Sequence, residues 1–440
     1  MQQKITGEVK ISPSILTITQ KIKNVSAFKE KIEEFLEKSV SELSEVILGG
    51  AISLGASDIH AEPKEKDTKI RIRIDGILQD VTTFGRESSE GLLNRIKLLS
   101  GIKLNITDRP QDGRFSISTE GKAPIEVRTS TLPAEYGETI VLRILNPKAL
   151  IELETLGLRK DLLENFEKEI KKPNGMIIVT GPTGSGKTTT LYAFLRKVQK
   201  PEIKIITIED PIEYHLEGIS QTQVDPKKGY DFASGLKSIM RQDPDMILVG
   251  EIRDLETAEI ALQAALTGHL VFTTLHTNDA AGTIARLTSL GAKPLNIGPA
   301  INMAIAQRLV REVCKKCGRL EKAPASALEK IKRGLRGTPH LLKRWGVKIP
   351  KIAPGLKVPQ AKGCKDCNFT GYRGRTGVFE AFLVDEEMEK FILQNPSIAA
   401  LRKEAIKRGM VTMQQDGLTK VLNGITTIEE VERITGPIKQ

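Results

Sequence analysis

Met176-Ile-Ile-Val-Thr-Gly-Pro-Thr-Gly-Ser-Gly-Lys-Thr-Thr-Thr190 is an apolar run, a glycine-rich turn and a lysine–threonine pair in immediate succession. Gly181 to Thr188 fits G-x-x-x-x-G-K-[ST] in full, after an apolar stretch that reads as a buried strand and before a helical pattern. Glycines let such a loop fold back so that its N–H groups surround phosphates, and the helix N-terminus adds positive potential. The candidate nucleotide ligands are therefore Gly181, Pro182, Thr183, Gly184, Ser185, Gly186, Lys187, Thr188 and Thr189. Lys187 is expected at the β/γ-phosphates, and the Thr188 hydroxyl on Mg²⁺.

Working outward, strands and helices alternate. Strands are expected at Met176–Thr180, Lys204–Ile208, Met246–Val249 and Leu270–Thr274; helices at Lys187–Val198, Phe232–Met240, Leu255–Leu266 and Ala280–Leu290. This alternation implies an α/β core with a mostly parallel sheet. Hydrolysis needs carboxylates on neighbouring strands, and two segments offer them. Thr207-Ile-Glu-Asp-Pro-Ile-Glu213 supplies Glu209, Asp210 and Glu213, and Met246-Ile-Leu-Val-Gly-Glu-Ile-Arg-Asp254 ends its strand near Glu251. A carboxylate at a strand's C-terminal edge can orient the attacking water or hold the metal's hydration shell. Which of Glu209 and Glu251 does which is open at this level. His269 precedes the Leu270 strand and His276 follows it; a histidine at the ligand-facing end could sense the γ-phosphate.

Toward the N-terminus, Thr68 to Asp75 alternates strictly, with Ile70, Ile72 and Ile74 on one face and Arg71 and Arg73 on the other. Short strands near Phe115–Ser118, Ile125–Thr129 and Thr139–Leu145 and a helix near Glu90–Ser100 complete a small α+β domain, taken as 41–147. A linker is expected at 148–160 and the motor core at 161–310. Residues 1–40 stay unassigned beyond a charged amphipathic helix at Phe28–Lys38. On their residues alone, Arg71, Arg73, Arg114 and Arg128 read as a solvated face.

On the C-terminal side, Cys314-Lys-Lys-Cys317 and Cys364-Lys-Asp-Cys367 are separated by 46 residues. Two such pairs suit one Zn²⁺ held by four thiolates, a closed and structural site. They lie in a basic segment, 311–375, with 18 basic against 4 acidic residues, while the remainder holds 48 against 51. That segment therefore carries the whole basic character and suits an acidic contact: an anionic membrane surface, an acidic protein face or nucleic acid. Trp345 is the one tryptophan in it, so bases would find little to stack on. A mainly helical tail is expected over 376–440.

At 440 residues, with 39% hydrophobic and 28% charged side chains, the chain is globular and of more than one domain. No run approaches the roughly 18–20 apolar residues of a membrane span. Its start lacks a secretory pattern, and four cysteines make no disulfide framework. A reduced, cytosolic protein is expected.

Beyond the P-loop, three segments resemble the secretion ATPase superfamily. They are Thr207-Ile-Glu-Asp-Pro-Ile-Glu213, Arg241-Gln-Asp-Pro-Asp-Met-Ile-Leu-Val-Gly-Glu-Ile-Arg-Asp254 and Leu266-Thr-Gly-His-Leu-Val-Phe-Thr-Thr-Leu-His-Thr-Asn278. More narrowly the chain is similar to the type II secretion and type IV pilus assembly ATPases. Gly55-Ala-Ser-Asp-Ile-His-Ala-Glu-Pro63, Arg71-Ile-Arg-Ile-Asp-Gly76, Pro110-Gln-Asp-Gly-Arg114, Tyr136-Gly-Glu-Thr-Ile-Val-Leu-Arg-Ile-Leu145 and Gln415-Asp-Gly-Leu-Thr-Lys-Val-Leu-Asn-Gly-Ile-Thr-Thr427 agree with that, covering about 40 to 435.

The resemblance implies a homo-hexameric ring of RecA-like P-loop motors, each preceded by a PAS-like α+β domain, that hydrolyses ATP and drives an inner-membrane platform protein from the cytoplasmic side. It makes Arg73 and Arg128 phosphate ligands, with Arg71 and Arg114 beside them, and puts His269 and His276 in a histidine-containing box. The paired cysteines match the Zn²⁺ element of assembly-type members, which retraction ATPases lack. Members carry a longer N-terminal region that docks on a membrane partner; here about 40 unlike residues precede the matching part. The rival reading is a nucleic-acid translocating or packaging ATPase gripping through its basic segment.

Overall fold

In the computed structural model the described residues are 7–119, 123–146, 152–338 and 350–438. They form two units, one of Met1–Ala149 with Cys314–Cys317 and Lys362–Arg373, the other of Leu150–Val313, Gly318–Ala361 and Gly374–Gln440. The start of the expected linker and Trp345 lie outside the described residues.

The first unit runs β1 (Glu8–Lys10), α1 (Pro13–Thr19), α2 (Val25–Glu34), α3 (Val40–Ser53), β2 (Asp58–Pro63), β3 (Asp67–Ile74), β4 (Ile77–Gly85), α4 (Arg86–Leu99), β5 (Gln111–Ser118), β6 (Ile125–Ala134) and β7 (Gly137–Leu145). Its seven strands lie in the order β1-β5-β6-β7-β2-β3-β4, antiparallel except for β1 on β5. Alternation decides the faces: Ile70 and Ile72 are fully buried among residues of α3 and α4, while Arg71 and Arg73 stay on the other side. Helix α3 opens on a reciprocal cap between Ser39 and Glu42. The segment before it, unassigned from sequence, joins this core through Val9, Ile15, Phe28 and Ile32. Gly50 makes room for it, since a Cβ there would lie 2.3 Å from the Phe28 ring. Lys97 on α4 pairs with Glu138 at 2.6 Å, both buried, and its ammonium also donates to the Ile106 carbonyl, fixing the loop that leads into β5.

The second unit begins with α5 (Lys160–Glu169) and β8 (Gly175–Thr180). It continues through α6 (Lys187–Val198), β9 (Ile205–Glu209), β10 (Ser220–Gln223), α7 (Phe232–Met240), β11 (Met246–Val249), α8 (Leu255–Leu266), β12 (Leu270–Leu275), α9 (Gly282–Ser289), α10 (Pro294–Ala300) and β13 (Ile301–Val313). Beyond lie β14 (Arg319–Lys322), α11 (Ala325–Gly334), β15 (Lys357–Gln360), β16 (Tyr372–Leu383), α12 (Glu386–Leu393), α13 (Ile398–Lys407), α14 (Met413–Leu422) and α15 (Ile428–Thr435). Its main sheet has the order β10-β9-β11-β12-β8-β13-β16, so one strand separates the P-loop strand β8 from β11. Both faces are covered: Met176 and Ile178 of β8 enter one core, Ile177 and Val179 the other, which is why this strand reads as an unbroken apolar run.

Strand β16 runs to Leu383 before the helical tail begins. Helices α11, α14 and α15 form a further small core with Val358 of β15. Behind the sheet, Arg159 and Asp416, both buried, pair at 3.1 Å; Asp161 and Lys420 complete that network, and Asp416 Oδ2 also accepts the Phe379 N–H at 2.8 Å. No helix among the described residues is long and apolar enough to cross a membrane.

Candidate nucleotide site, arginine row and metal cluster

The loop 181–186 leaves the buried end of β8 and enters α6 through Gly186, which is in the left-handed region at φ 88°. Only glycine fits at two points: a Cβ on Gly181 would lie 2.5 Å from the Gln307 carbonyl oxygen, and one on Gly186 would lie 2.8 Å from Gln307 Nε2. Gln307 is itself held, its Oε1 accepting from the Thr190 hydroxyl at 2.7 Å. Pro182, Thr183 and Gly184 form an exposed rim. No side chain caps α6, so the N–H groups of its first turn, over Lys187, Thr188 and Thr189, are free to meet an anion. Lys187 Nζ donates to the Gly181 carbonyl at 2.9 Å, and burial holds its pKa below the usual lysine range, a shift the Glu251 charge opposes.

Parallel pairing brings three strand ends to this loop. Leu275 lies opposite Thr180, and Thr180 Oγ1 donates to the Leu275 carbonyl and accepts the Thr277 N–H at 2.8 Å. His276 is therefore beside the loop, with Nε2 3.5 Å from Glu251 Oε2. Burial depresses the His276 pKa, and the Lys187 charge adds to that. Arg253 pairs with Glu251 and reaches Asp210 Oδ2 at 3.4 Å, linking the ends of β9 and β11.

Glu209 takes a different position. Only 3% exposed, it accepts from the Tyr192 hydroxyl, from Thr207 Oγ1 at 2.6 Å and from Gln221 Nε2 at 3.1 Å, so both of its oxygens are engaged inside the protein. Burial pushes its pKa up, against the pull of these donors. His269 is also apart. It precedes Leu270, which pairs with Gly175, so it sits at the opposite sheet edge, about 20 Å from the loop along the strand. The two histidines read together from sequence are thus split, and only His276 joins the site.

In the first unit, Arg114, Arg128, Arg143, Asp58 and Arg73 lie directly opposite one another across five adjacent strands, β5-β6-β7-β2-β3. Directly opposed residues share a face, so four arginines and one aspartate form a single row. Glu126, two residues before Arg128 on the same face, lies 3.7 Å from Arg114 and 4.0 Å from Arg128. Arg71, two residues before Arg73 on the same face of β3, pairs instead with Asp80 at 3.0 Å and Glu62 at 3.4 Å. Arg143 was not among the residues expected from sequence. Its place depends on register with Arg128 and Asp58, which no local pattern shows.

The cysteines meet within that unit. Their Sγ atoms all lie within 4.8 Å of one another, with Cys317 to Cys367 at 3.7 Å and Cys364 to Cys367 at 3.8 Å. A tetrahedral metal with bonds of about 2.3 Å has edges of about 3.8 Å, so these sulfurs already lie at the spacing that Zn²⁺ requires. The N–H groups of Cys364 and Gly371 point at Cys367 Sγ, at 3.2 and 3.3 Å, as they would toward a thiolate. Next to this cluster Asn368 Oδ1 accepts the Val25 N–H at 2.8 Å.

The model of the family described as type II/IV secretion system protein matches residues 33–433. The type II secretion system ATPase E of Vibrio cholerae serotype O1 is 44% identical over 410 residues, 92% of this chain and 77% of the relative. The type IV pilus assembly ATPase PilB of Thermus thermophilus is 41% identical over 399 residues, 90% of this chain and 43% of the relative. Among solved structures, the pilus retraction motor PilT with bound ADP aligns over 88% of this chain and 95% of its own at a TM-score of 0.57 and 26% identity. The Legionella pneumophila ATPase DotB aligns over 89% and 94% at 0.63 and, at 23% identity, speaks to the fold alone.

Proposed function

Because the chain belongs to the type II/IV secretion system protein family, we propose that it hydrolyses ATP to power assembly of a type IV pilus or a type II secretion pseudopilus. In this reading it works as a homo-hexamer on the cytoplasmic side of the inner membrane, through a platform protein there. The observation that carries the catalytic reading is the convergence of Lys187, Glu251 and His276 at the P-loop end of one parallel sheet.

The roles follow from the surroundings of each group. The P-loop N–H groups and Lys187 bind the phosphates, and Thr188 would hold Mg²⁺, which supplies charge neutralisation there. Glu251 is the base that orients and deprotonates water, because it borders Lys187 and His276 whereas both Glu209 oxygens are engaged by buried donors. Glu209 supports the end of β9 rather than touching water. His276, neutral at pH 7, reports the state of the γ-phosphate to α9 through the Thr277–Asp279 turn. Arg73, Arg128 and Arg143 neutralise developing phosphoryl charge, from whichever copy of the chain presents them. The four cysteines hold a structural Zn²⁺, and the basic segment around them meets an anionic membrane surface.

Steady-state hydrolysis with Lys187→Ala as blank tests this, with no addition, anionic vesicles, or single- and double-stranded DNA, each at two salt concentrations. Hydrolysis stimulated by vesicles alone is expected. Stimulation by DNA alone, with a steep salt dependence, would replace the pilus reading with a translocase.

A further inference from the structure

Asp58 is the one acid within the arginine row, and it is only 5% exposed. Its Oδ1 accepts from Arg143 Nε at 3.0 Å, and its Oδ2 lies 3.5 Å from Arg73 Nε and accepts from the Ser57 hydroxyl at 2.8 Å. Arg143 is thus held at its Nε corner by a hydrogen bond, and Arg73 at the same corner by an ion pair. Arg73 Nη1 donates to the Gly76 carbonyl at 3.1 Å, and the terminal amino groups of Arg143, whose side chain is 56% exposed, meet no partner among the described residues. A guanidinium has two edges that can each take an oxyanion. Engaging the Nε corner leaves the whole terminal edge of Arg143 and, with Nη1 on the Gly76 carbonyl, the Nη2 group of Arg73.

The row is otherwise a poor way to build a sheet. Directly opposed like charges such as Arg114–Arg128 and Arg128–Arg143 are destabilising, and burying a carboxylate costs free energy unless cations meet it. Local rules broken in register across neighbouring strands mark a functional surface. We propose that Asp58 is the positioning residue of this surface: it holds Arg143 and Arg73 at Nε so that the terminal edge of Arg143 and the Nη2 group of Arg73 are presented, already oriented, to phosphoryl oxygens. This rests on the reading of the row as phosphate ligands given above. The benefit of such orientation appears in the transition state, where charge spreads over the phosphoryl oxygens, and so in kcat rather than KM.

The full-length chain carrying Asp58→Asn tests it. Asparagine keeps one acceptor but turns an amide NH₂ toward the other guanidinium. The expected result is a kcat lower by about 10- to 100-fold with KM for ATP within about threefold, in a protein whose melting temperature stays near the parent's. In an Arg73→Ala/Arg143→Ala background the same substitution should have no further effect, because its targets are gone. A folded Asp58→Asn protein with parental kcat overturns the proposal, as does an equal loss in both backgrounds. Parental turnover in Arg73→Ala/Arg143→Ala overturns the phosphate reading of the row itself, a separate result. Should Asp58→Asn not fold, Arg143→Lys decides: it keeps the charge but offers no second edge, so the same fall in kcat is expected, and parental kcat overturns the proposal.

Discussion

Glu251 Oε2 lies 3.5 Å from His276 Nε2, although a helix and a strand separate the two residues in the chain; pairing of β11 with β12 returns them to one edge beside Lys187. A carboxylate so placed, whose partners Arg253 and His276 are exposed side chains rather than buried donors, suits the base. Glu251→Gln should bind ATP yet turn over at least about 100-fold more slowly, the usual scale for loss of a general base. Lys187→Ala should abolish hydrolysis. Phosphate release alongside equilibrium nucleotide binding checks both, and near-parental turnover in Glu251→Gln removes that assignment.

The His276 pKa is depressed, first by burial and then by Lys187, and that of His60 is also lowered, chiefly by burial. Near and below pH 6.5 the unfolded chain therefore binds more protons than the folded one. Stability should rise with pH between the folded pKa values and about 6.5, and be lost as pH falls through that window. His276→Asn should reduce the slope by a fraction of one proton and leave the His60 part. Denaturation midpoints measured from pH 5 to 8 would show it; an unchanged slope rules the histidine out as the source.

Tyr192, Thr207 and Gln221 all donate to Glu209 inside the protein. Removing the acceptor strands those donors. Glu209→Ala should cost about 2–4 kcal/mol, and Tyr192→Phe about 1–2 kcal/mol, by chemical denaturation. Tyr192→Phe should slow turnover far less than Glu251→Gln. A catalytic-scale loss in a stable Tyr192→Phe protein would move Glu209 back to the reaction centre.

Sulfur spacings of 3.7 and 3.8 Å suit a metal and are far from the roughly 2.05 Å of a disulfide. Elemental analysis should find about one Zn²⁺ per chain. Cys367→Ser should lose most of it and lower the melting temperature. A metal-free purified protein that melts like the loaded one disposes of the structural role.

The motor was legible in the sequence because its strands are buried on both faces and its helices begin and end cleanly; β11, α6, α7 and α8 have the bounds read from residues alone. Strand β13 was not read, since Ile301 to Ala306 show no alternation and charged Arg308, Arg311 and Glu312 follow. Strand β16 hides its inner half behind Glu380, a buried carboxyl satisfied by the Ala280 and Met413 N–H groups. Parallel pairing of β1 with β5 joins residues about a hundred positions apart, so Val9 and Ile15 gave no hint of the core they enter, although the amphipathic helix with Phe28 and Ile32 was legible. At the site, motifs named Glu209 and Glu251 equally; only burial and donors distinguish them. Arg143 required the register of three strands.

The Arg159–Asp416 pair also bears on how the chain is made. Synthesis yields the arginine first and its carboxylate some 250 residues later, which at ribosomal rates of about 5–20 residues per second is about 13–50 s. Until α14 emerges, a guanidinium destined for an interior 6% exposed has Asp161 and, once β16 is made, the Phe379 carbonyl, but lacks its second carboxylate. The motor therefore cannot close vectorially behind the ribosome. Its completion waits for the last helices, and a chain truncated before Asp416 should be handed to chaperones or proteases rather than released as a smaller working ATPase.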